Sequence, residues 1–374
     1  MRIGIILHGP EIVDEGSADR IIRILMKEHD VTAKLGGTMG RTAVLDAGLE
    51  ELIDITQGMT PSQTINTMKD SIHLAVLLNH GKTLETGRHF GRIVASKLVS
   101  SIPFVHIERP DSDGRIIYYD SGSKRCAKIV RELLQRHEPR YRLPIEPGSP
   151  QPLDVRSEGD SFVRRISGAV PGENIRLDGI VIGHAASAEP EIVCRDGRVV
   201  ELRGGIIKPH GIEKLVNRRI DLAAARVKTG NIRRSKHRTK VQPAKSLADG
   251  KKIVVIDHCA ESTFELVGDA DIAITVGDDT TTIAADILTR FGIPIIGITD
   301  GDMDGILSDA AIPAGSIIIR VKEGFDDIIG REISEKLMMG KQKLAVHSCE
   351  EIVEKVLKLA GNKIVEIKRY AQNP

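Results

Sequence analysis

The sequence predicts an α/β protein in which two parallel-sheet domains flank a small β-rich domain. Strand, glycine-rich loop and helix alternate through the first 145 residues, short β-branched runs recur further along the chain, and a βαβαβ order returns after residue 250. Such alternation predicts parallel strands joined by right-handed crossovers. We therefore predict domains at 1–145, 153–222 and 250–374, with a basic linker at 223–249.

Apolar runs with the length of buried strands organise the N-terminal domain. They are Ile3–His8, Val31–Leu35, Leu74–Leu78 and Phe104–Glu108. Helical apolar spacing follows the first three. This repetition is typical of a Rossmann-like, doubly wound sheet.

Two glycine-rich loops of this domain are candidate phosphate sites, because backbone N–H groups at a helix start attract anions. The predicted contacts are Gly36, Gly37, Thr38, Gly40, Arg41 and Thr42 in the first loop, and Gly81, Lys82 and Thr83 in the second. His8 and His80 are candidate ligand contacts beside them. The alternative, that these glycines only make tight βα turns, stays open.

The middle of the chain has a different pattern. Residues 140–152 hold four prolines and predict a linker. The β-branched runs that follow include the pair Glu191–Cys194 and Arg198–Leu202, joined by Asp196–Gly197. An Asp-Gly step between such runs predicts a hairpin.

A basic segment separates the β-rich domain from the C-terminal domain. Residues 226–245 contain eight lysines or arginines and no acidic residue. The candidate contacts are Arg233, Arg234, Lys236, Arg238 and Lys240. Such a run can bind a nucleic-acid backbone or a protein partner. A solvated linker explains it equally well, so both interpretations stay open.

Acidic residues follow the strands predicted in the C-terminal domain. The predicted set is Asp257 and Glu261 after the first strand, and Asp300, Asp302 and Asp304 after the third. The carboxyl ends of parallel strands meet at one sheet edge, where α/β proteins hold ligands. Clustered carboxylates repel one another unless a cation neutralises them, and Mg²⁺ prefers such oxygen ligands. A tight turn would also use Asp and Gly here.

The order of these elements resembles the Toprim domain of the primase type, over about 55 residues. The matching positions are Asp257 and Glu261, the Gly277-x-x-Thr280-Thr281 loop, and Asp300-x-Asp302 with Gly305. The resemblance implies metal ligands at Asp300, Asp302 and Asp304, an acid–base role for Asp257 or Glu261, and phosphate contacts at Gly277, Thr280 and Thr281.

One position departs from the Toprim pattern. The family has glutamate followed by glycine where this chain has Asp257 and His258. Aspartate is one methylene shorter, and a misplacement of about 1 Å can cost on the order of a hundredfold in rate. The departure favours metal binding over strand-cleaving or primase chemistry.

Composition narrows the class of protein. The 374 residues carry 53 basic and 52 acidic side chains and no apolar run long enough for a membrane span, which predicts a cytoplasmic protein without membrane partners. Three motifs together, Gly36–Thr42, Pro209–Leu215 and the Asp300 cluster, resemble an uncharacterised conserved family of methanogenic archaea. That resemblance implies an archaeal cytoplasm, and a homo-oligomer stays open.

Three functional hypotheses follow. The first is a Mg²⁺-dependent protein acting on a nucleotide, nucleic acid or other phosphorylated ligand at the acidic edge. The second is a non-catalytic assembly or regulatory module with a degenerate Toprim-like site. The third is a biosynthetic enzyme whose site lies at the N-terminal glycine-rich loops.

Overall fold

The computed structural model describes residues 1–99, 102–216, 218–230, 233, 239–243, 252–301 and 311–370, apart from the side chains of Glu261 and Cys349. The chain divides into two compact units, Met1–His237 and Arg238–Pro374. Each contains helices and sheets, and the protein is therefore a mixed α/β structure.

A seven-stranded sheet dominates the first unit. Its strands are β1 (Arg2–His8), β2 (Asp30–Leu35), β3 (Ile53–Asp54), β4 (Leu74–Asn79), β5 (Phe104–Glu108), β6 (Arg115–Tyr118) and β7 (Ile145–Pro147). Their order is β3-β2-β1-β4-β5-β6-β7, and every pair is parallel except β5 with β6. The order reverses between β1 and β4, so the loops after these two strands leave in opposite directions.

Helices cover both faces of this sheet. They are α1 (Glu11–Asp14), α2 (Ser17–Met26), α3 (Arg41–Ala47), α4 (Pro61–Met68), α5 (Leu84–Ser96) and α6 (Ser121–His137). Because side chains alternate along a strand, Ile5 and Leu7 of β1 join the core under α1, α2, α3 and α6. Ile6 joins the opposite core, under α4 and α5.

Two four-stranded antiparallel sheets complete the first unit. They comprise β8 (Val155–Glu158), β9 (Ser161–Arg165), β10 (Asn174–Leu177), β11 (Ile180–Ala185), β12 (Glu191–Arg195), β13 (Arg198–Arg203), β14 (Gly205–Ile207) and β15 (Val227–Thr229), with the short helix α7 (Pro209–Glu213). The orders are β14-β11-β10-β15 and β13-β12-β9-β8. The Asp196–Gly197 hairpin predicted from the sequence is present, with φ of 52° and 75°.

The proline-rich stretch at 140–152 is more than the linker predicted from the sequence. It contains β7, which pairs with β6 at the sheet edge. An edge strand tolerates Pro147 because one row of its backbone groups needs no partner.

A six-stranded sheet forms the core of the second unit. Its strands are β16 (Lys252–Asp257), β17 (Ile272–Val276), β18 (Ile295–Thr299), β19 (Ile317–Val321), β20 (Lys343–Ala345) and β21 (Ile364–Arg369). The order is β20-β16-β17-β18-β19-β21, with four central parallel strands and antiparallel strands at both edges. The carboxyl ends of β16 to β19 therefore lie along one edge.

The helices of the second unit also lie on both faces. They are α8 (Thr263–Val267), α9 (Asp278–Thr289), α10 (Asp326–Glu332) and α11 (Cys349–Ala360), with a π-helical turn at Ile333–Leu337 and 3₁₀ turns at Ala260–Ser262 and Gly361–Lys363. One core joins α8 and α9 to the sheet and another joins α10 and α11. Among the described residues no helix has the length and apolar character needed to cross a membrane.

Candidate functional site

The structure places two of the predicted acids at the carboxyl edge of the second sheet. Asp257 is the last residue of β16, and Asp300 follows β18 directly. Asp302 and Asp304 fall outside the described residues, as does the side chain of Glu261. A ligand role for these three residues therefore stays a prediction.

Asp278, the first residue of α9, lies beside Asp300 at this edge. Gly301 N–H donates to Asp278 Oδ1 at 3.2 Å, and Gly324 N–H donates to Asp300 Oδ2 at 2.6 Å. Burial raises the pKa of the Asp278 carboxyl, and Asp300 raises it further although the Gly301 N–H opposes the shift. Backbone donors therefore hold two carboxyl groups close together at this edge.

His258 occupies the same edge in a left-handed conformation, with φ of 50°. Its Nδ1 is paired with Asp257 Oδ1, and its Nε2 lies 3.2 Å from Asp327 Oδ1. That second contact lacks hydrogen-bond geometry, so Nε2 is a buried ring nitrogen without a hydrogen-bond partner among the described residues. A positive φ is uncommon for a residue other than glycine, and residues in such conformations are frequent at functional sites.

Asp326 and Asp327 complete the arrangement from α10, on the opposite face from α8 and α9. One ligand atom each from His258, Asp326 and Asp327 lies within 4.8 Å of the others. The sequence alone did not predict that these two aspartates lie at this sheet edge. The one sequence feature that pointed to them is that two adjacent aspartates begin the helix that follows β19.

The predicted phosphate contacts in this unit are engaged within the protein. Gly277 N–H donates to the Ile298 carbonyl, and Thr281 Oγ1 lies 2.9 Å from Thr275 Oγ1. Thr280 and Thr281 are buried. The Thr281 hydroxyl therefore ties α9 to β17, and a phosphate contact by Gly277, Thr280 or Thr281 stays a prediction.

The first glycine-rich loop of the N-terminal sheet is also held by internal contacts. Gly36 N–H and Gly37 N–H donate to the carbonyls of Leu7 and Met59, each at 2.7 Å. A side chain at Gly40 would stand 2.9 Å from the Gly9 carbonyl oxygen. A side chain at Gly36 would collide with Pro61, and Gly37 has a φ of 99°, so space and backbone conformation both favour glycine in this turn. A phosphate role for Thr38 and Thr42 stays a prediction.

The second glycine-rich loop is engaged in the same way. Gly81 N–H donates to Glu108 Oε1 at 2.6 Å. Lys82 Nζ pairs with the Glu173 carboxylate and donates to Thr229 Oγ1 at 2.9 Å. Thr83 caps α5. Lys82 therefore ties the parallel sheet to the β-rich part of the first unit.

Arg41 has a structural role in the first loop, because its guanidinium is buried and Nε donates to the Ile55 carbonyl at 2.9 Å. Arg41→Ala is expected to lower the free energy of unfolding by about 2–3 kcal/mol, since it removes a buried guanidinium together with its hydrogen bond to the Ile55 carbonyl. Chemical denaturation measures the loss. The matched control Arg23→Ala removes only an exposed pair with Asp19 and should change stability by less than about 0.5 kcal/mol. Equal stability of the two variants would contradict the structural role.

The basic segment is described only in part. Arg234, Lys236 and Arg238 lie outside the described residues, and Lys240 is exposed. Arg233 is buried, with its guanidinium paired to Asp14 and Asp46. Arg233 therefore belongs to the interior of the first unit, whereas binding by the other four residues stays a prediction.

Comparison with known proteins adds relatives without a described activity. Residues 5–341 match the family described as "Uncharacterized protein conserved in archaea (DUF2117)". An uncharacterized protein of Methanocaldococcus jannaschii is 40% identical over 362 residues, which is 96% of each chain. These matches agree with the predicted archaeal family, and they carry no information on a Toprim site or on magnesium.

Proposed function

The chain belongs to this conserved archaeal family, and from that premise we propose that it binds a divalent cation and acts with it on a phosphorylated ligand. The site is the carboxyl edge of β16 to β19. On this proposal the second unit is a Toprim-like domain with altered ligands. The first unit is Rossmann-like, which the order of β3, β2, β1, β4 and β5 supports.

The observation that carries the proposal is the orphaned Nε2 of His258 beside two carboxylates. His258, Asp326 and Asp327 offer one nitrogen and two oxygens within coordination reach of a common centre. Carboxylates suit Mg²⁺ and Mn²⁺, and an imidazole adds affinity for transition metals. The donor set therefore favours Mn²⁺ over Mg²⁺ in affinity, although Mg²⁺ remains the predicted physiological cofactor.

The residues of the site would have different roles. His258, Asp326 and Asp327 would hold the ion, and Asp257 would fix the imidazole through its contact with Nδ1. The ion would neutralise phosphate charge and position its oxygens. Asp300, with its carboxylate near the edge, would hold a second position or orient ligand water.

Calorimetric titration of the full chain with MnCl₂ and MgCl₂ tests the site. We expect saturable binding that Asp326→Asn and Asp327→Asn each weaken at least about tenfold. Asp269→Asn is the matched control, since it removes an exposed carboxylate paired with Lys252 at the amino end of β17. Absence of binding in the unchanged protein, or equal binding in all variants, would refute the metal site.

A turnover assay separates this function from the assembly hypothesis. Metal-dependent release of phosphate from a nucleotide mixture, lost in Asp327→Asn, is the expected result. A stable stoichiometric protein partner without turnover would instead favour the non-catalytic module.

A further inference from the structure

Polar side chains end three adjacent strands of the first unit, where apolar ones would continue the pattern. His8 ends β1, Asn79 ends β4 and Glu108 ends β5. His8 and Asn79 are register partners across the point where the strand order reverses. Open α/β sheets bind ligands in the crevice at such a point.

The hydrogen bonds of this group have fixed directions. Asn79 Nδ2 and Gly81 N–H each donate to Glu108 at 2.6 Å, and His106 Nε2 lies 2.9 Å from the same carboxylate. Because Asn79 Nδ2 faces Glu108, the amide oxygen of Asn79 faces His8, and this oxygen can only accept a hydrogen bond. His8 Nδ1 lies 2.8 Å from that oxygen and is therefore the protonated nitrogen.

The other ring nitrogen of His8, Nε2, can act as a base. Nε2 has no hydrogen-bond partner among the described residues, and the ring is only partly buried. Phe90 of α5 stacks on the ring at 3.9 Å between centroids and fixes its plane. By contrast, His80 Nε2 accepts a hydrogen bond from Arg109 Nη1 at 3.1 Å, and its Nδ1 lies 2.7 Å from Glu15 Oε2 without hydrogen-bond geometry.

From this geometry we propose that His8 is the proton-accepting residue of a second site, which binds a small ligand carrying an ionisable O–H, N–H or activated C–H group. The Glu108–Asn79–His8 chain holds the imidazole through Nδ1 and leaves Nε2 to accept a proton at the point where the strand order reverses. The site lies in the first unit and is independent of the proposed metal site.

The proton transfer is balanced within these groups. The ligand X–H gives its proton to His8 Nε2, which leaves X⁻ and an imidazolium. The Asn79 oxygen, polarised by the Glu108 carboxylate, stabilises the imidazolium. The ammonium of Lys228 from β15 acts on His8 through space and favours X⁻. A small ligand that is anionic after proton loss is therefore the class that fits.

The surroundings keep His8 in the neutral form that can accept a proton. Burial lowers the pKa of His8 most, and Lys228 lowers it as well. The hydrogen bond to Asn79 and the charges of Glu108 and Glu11 oppose this shift. A neutral imidazole with a fixed tautomer is the state that a general base requires at neutral pH.

Two measurements on the full chain test the proposal. Long-range ¹H–¹⁵N correlation spectra, with His8→Gln for assignment, should show His8 protonated on Nδ1 and unprotonated on Nε2. The probe diethyl pyrocarbonate acylates unprotonated imidazole, and peptide mapping should show His8 modified about tenfold faster than His80, because the hydrogen bond from the Arg109 guanidinium to His80 Nε2 must first break. His73→Gln, which removes an exposed ring, should leave the His8 rate unchanged.

Asn79→Leu tests the chain of hydrogen bonds itself. The Nδ1-protonated form of His8 should be lost while circular dichroism remains that of a folded protein. If this variant does not fold, the unchanged protein still decides the question. A His8 protonated on Nε2, or a His8 less reactive than His80, overturns the proposal.

Discussion

Arg233→Ala is expected to lower the free energy of unfolding of the first unit by about 3–5 kcal/mol, the usual cost of breaking a buried ion pair. Arg233 Nε lies 2.8 Å from Asp14 Oδ2, and Nη1 lies 2.5 Å from Asp46 Oδ2. All three side chains are buried. Removal of the guanidinium leaves two carboxylates in a poorly solvated position.

Denaturant unfolding of the full chain, followed by a probe in the first unit, measures this loss. Arg136→Ala removes an exposed pair with Glu28 and is the matched control, with an expected change under about 1 kcal/mol. The triple variant Arg233→Met, Asp14→Asn, Asp46→Asn removes all three charges and should recover much of the stability. Arg233→Ala with unchanged stability would show that Arg233 is not anchored in the interior.

Gly87→Ala is expected to cost about 3 kcal/mol or more, the sum of overpacking and of a displaced charged hydrogen bond. Gly87 lies on α5 directly over Glu108, and a methyl group there would overlap the carboxylate. Gly91, one turn later, leaves room in the same way for His106 and Tyr119. The two glycines let α5 approach the sheet above a buried polar group.

Thermal and denaturant unfolding of Gly87→Ala should be compared with Gly122→Ala. Gly122 lies near the start of α6, is exposed, and has Asp120 Oδ1 as its nearest neighbour at 3.1 Å. There the better helix propensity of alanine offsets any crowding, so the change should be small. Similar stability of the two variants would mean that α5 is not closely packed against Glu108 at Gly87.

The strands were predictable because their signals are local. Ile3–His8 and Leu74–Leu78 are apolar runs that depend on no distant residue, and both form strands of the first sheet. The Asp196–Gly197 hairpin follows from two residues that accept positive φ. Strand β7 was missed because its pairing with β6 overrides the prolines around it.

The candidate site was predictable only in its location. Asp257 and Asp300 mark the edge, because both follow apolar strands. The approach of Asp326 and Asp327 depends on where α10 crosses the sheet, which no local pattern encodes. The internal partners of Arg41, Lys82 and Arg233 are likewise set by distant backbone and carboxylate groups.

The contact between His258 and Asp327 joins positions 69 residues apart, since 327 − 258 = 69. Closing a loop of that length costs chain entropy before any attraction compensates for it. During synthesis the edge acquires its last two carboxylates only after β19 has been made. An ion bound by both segments would act as a cross-link, so saturating Mn²⁺ should slow unfolding of the second unit and protect its amides from hydrogen exchange.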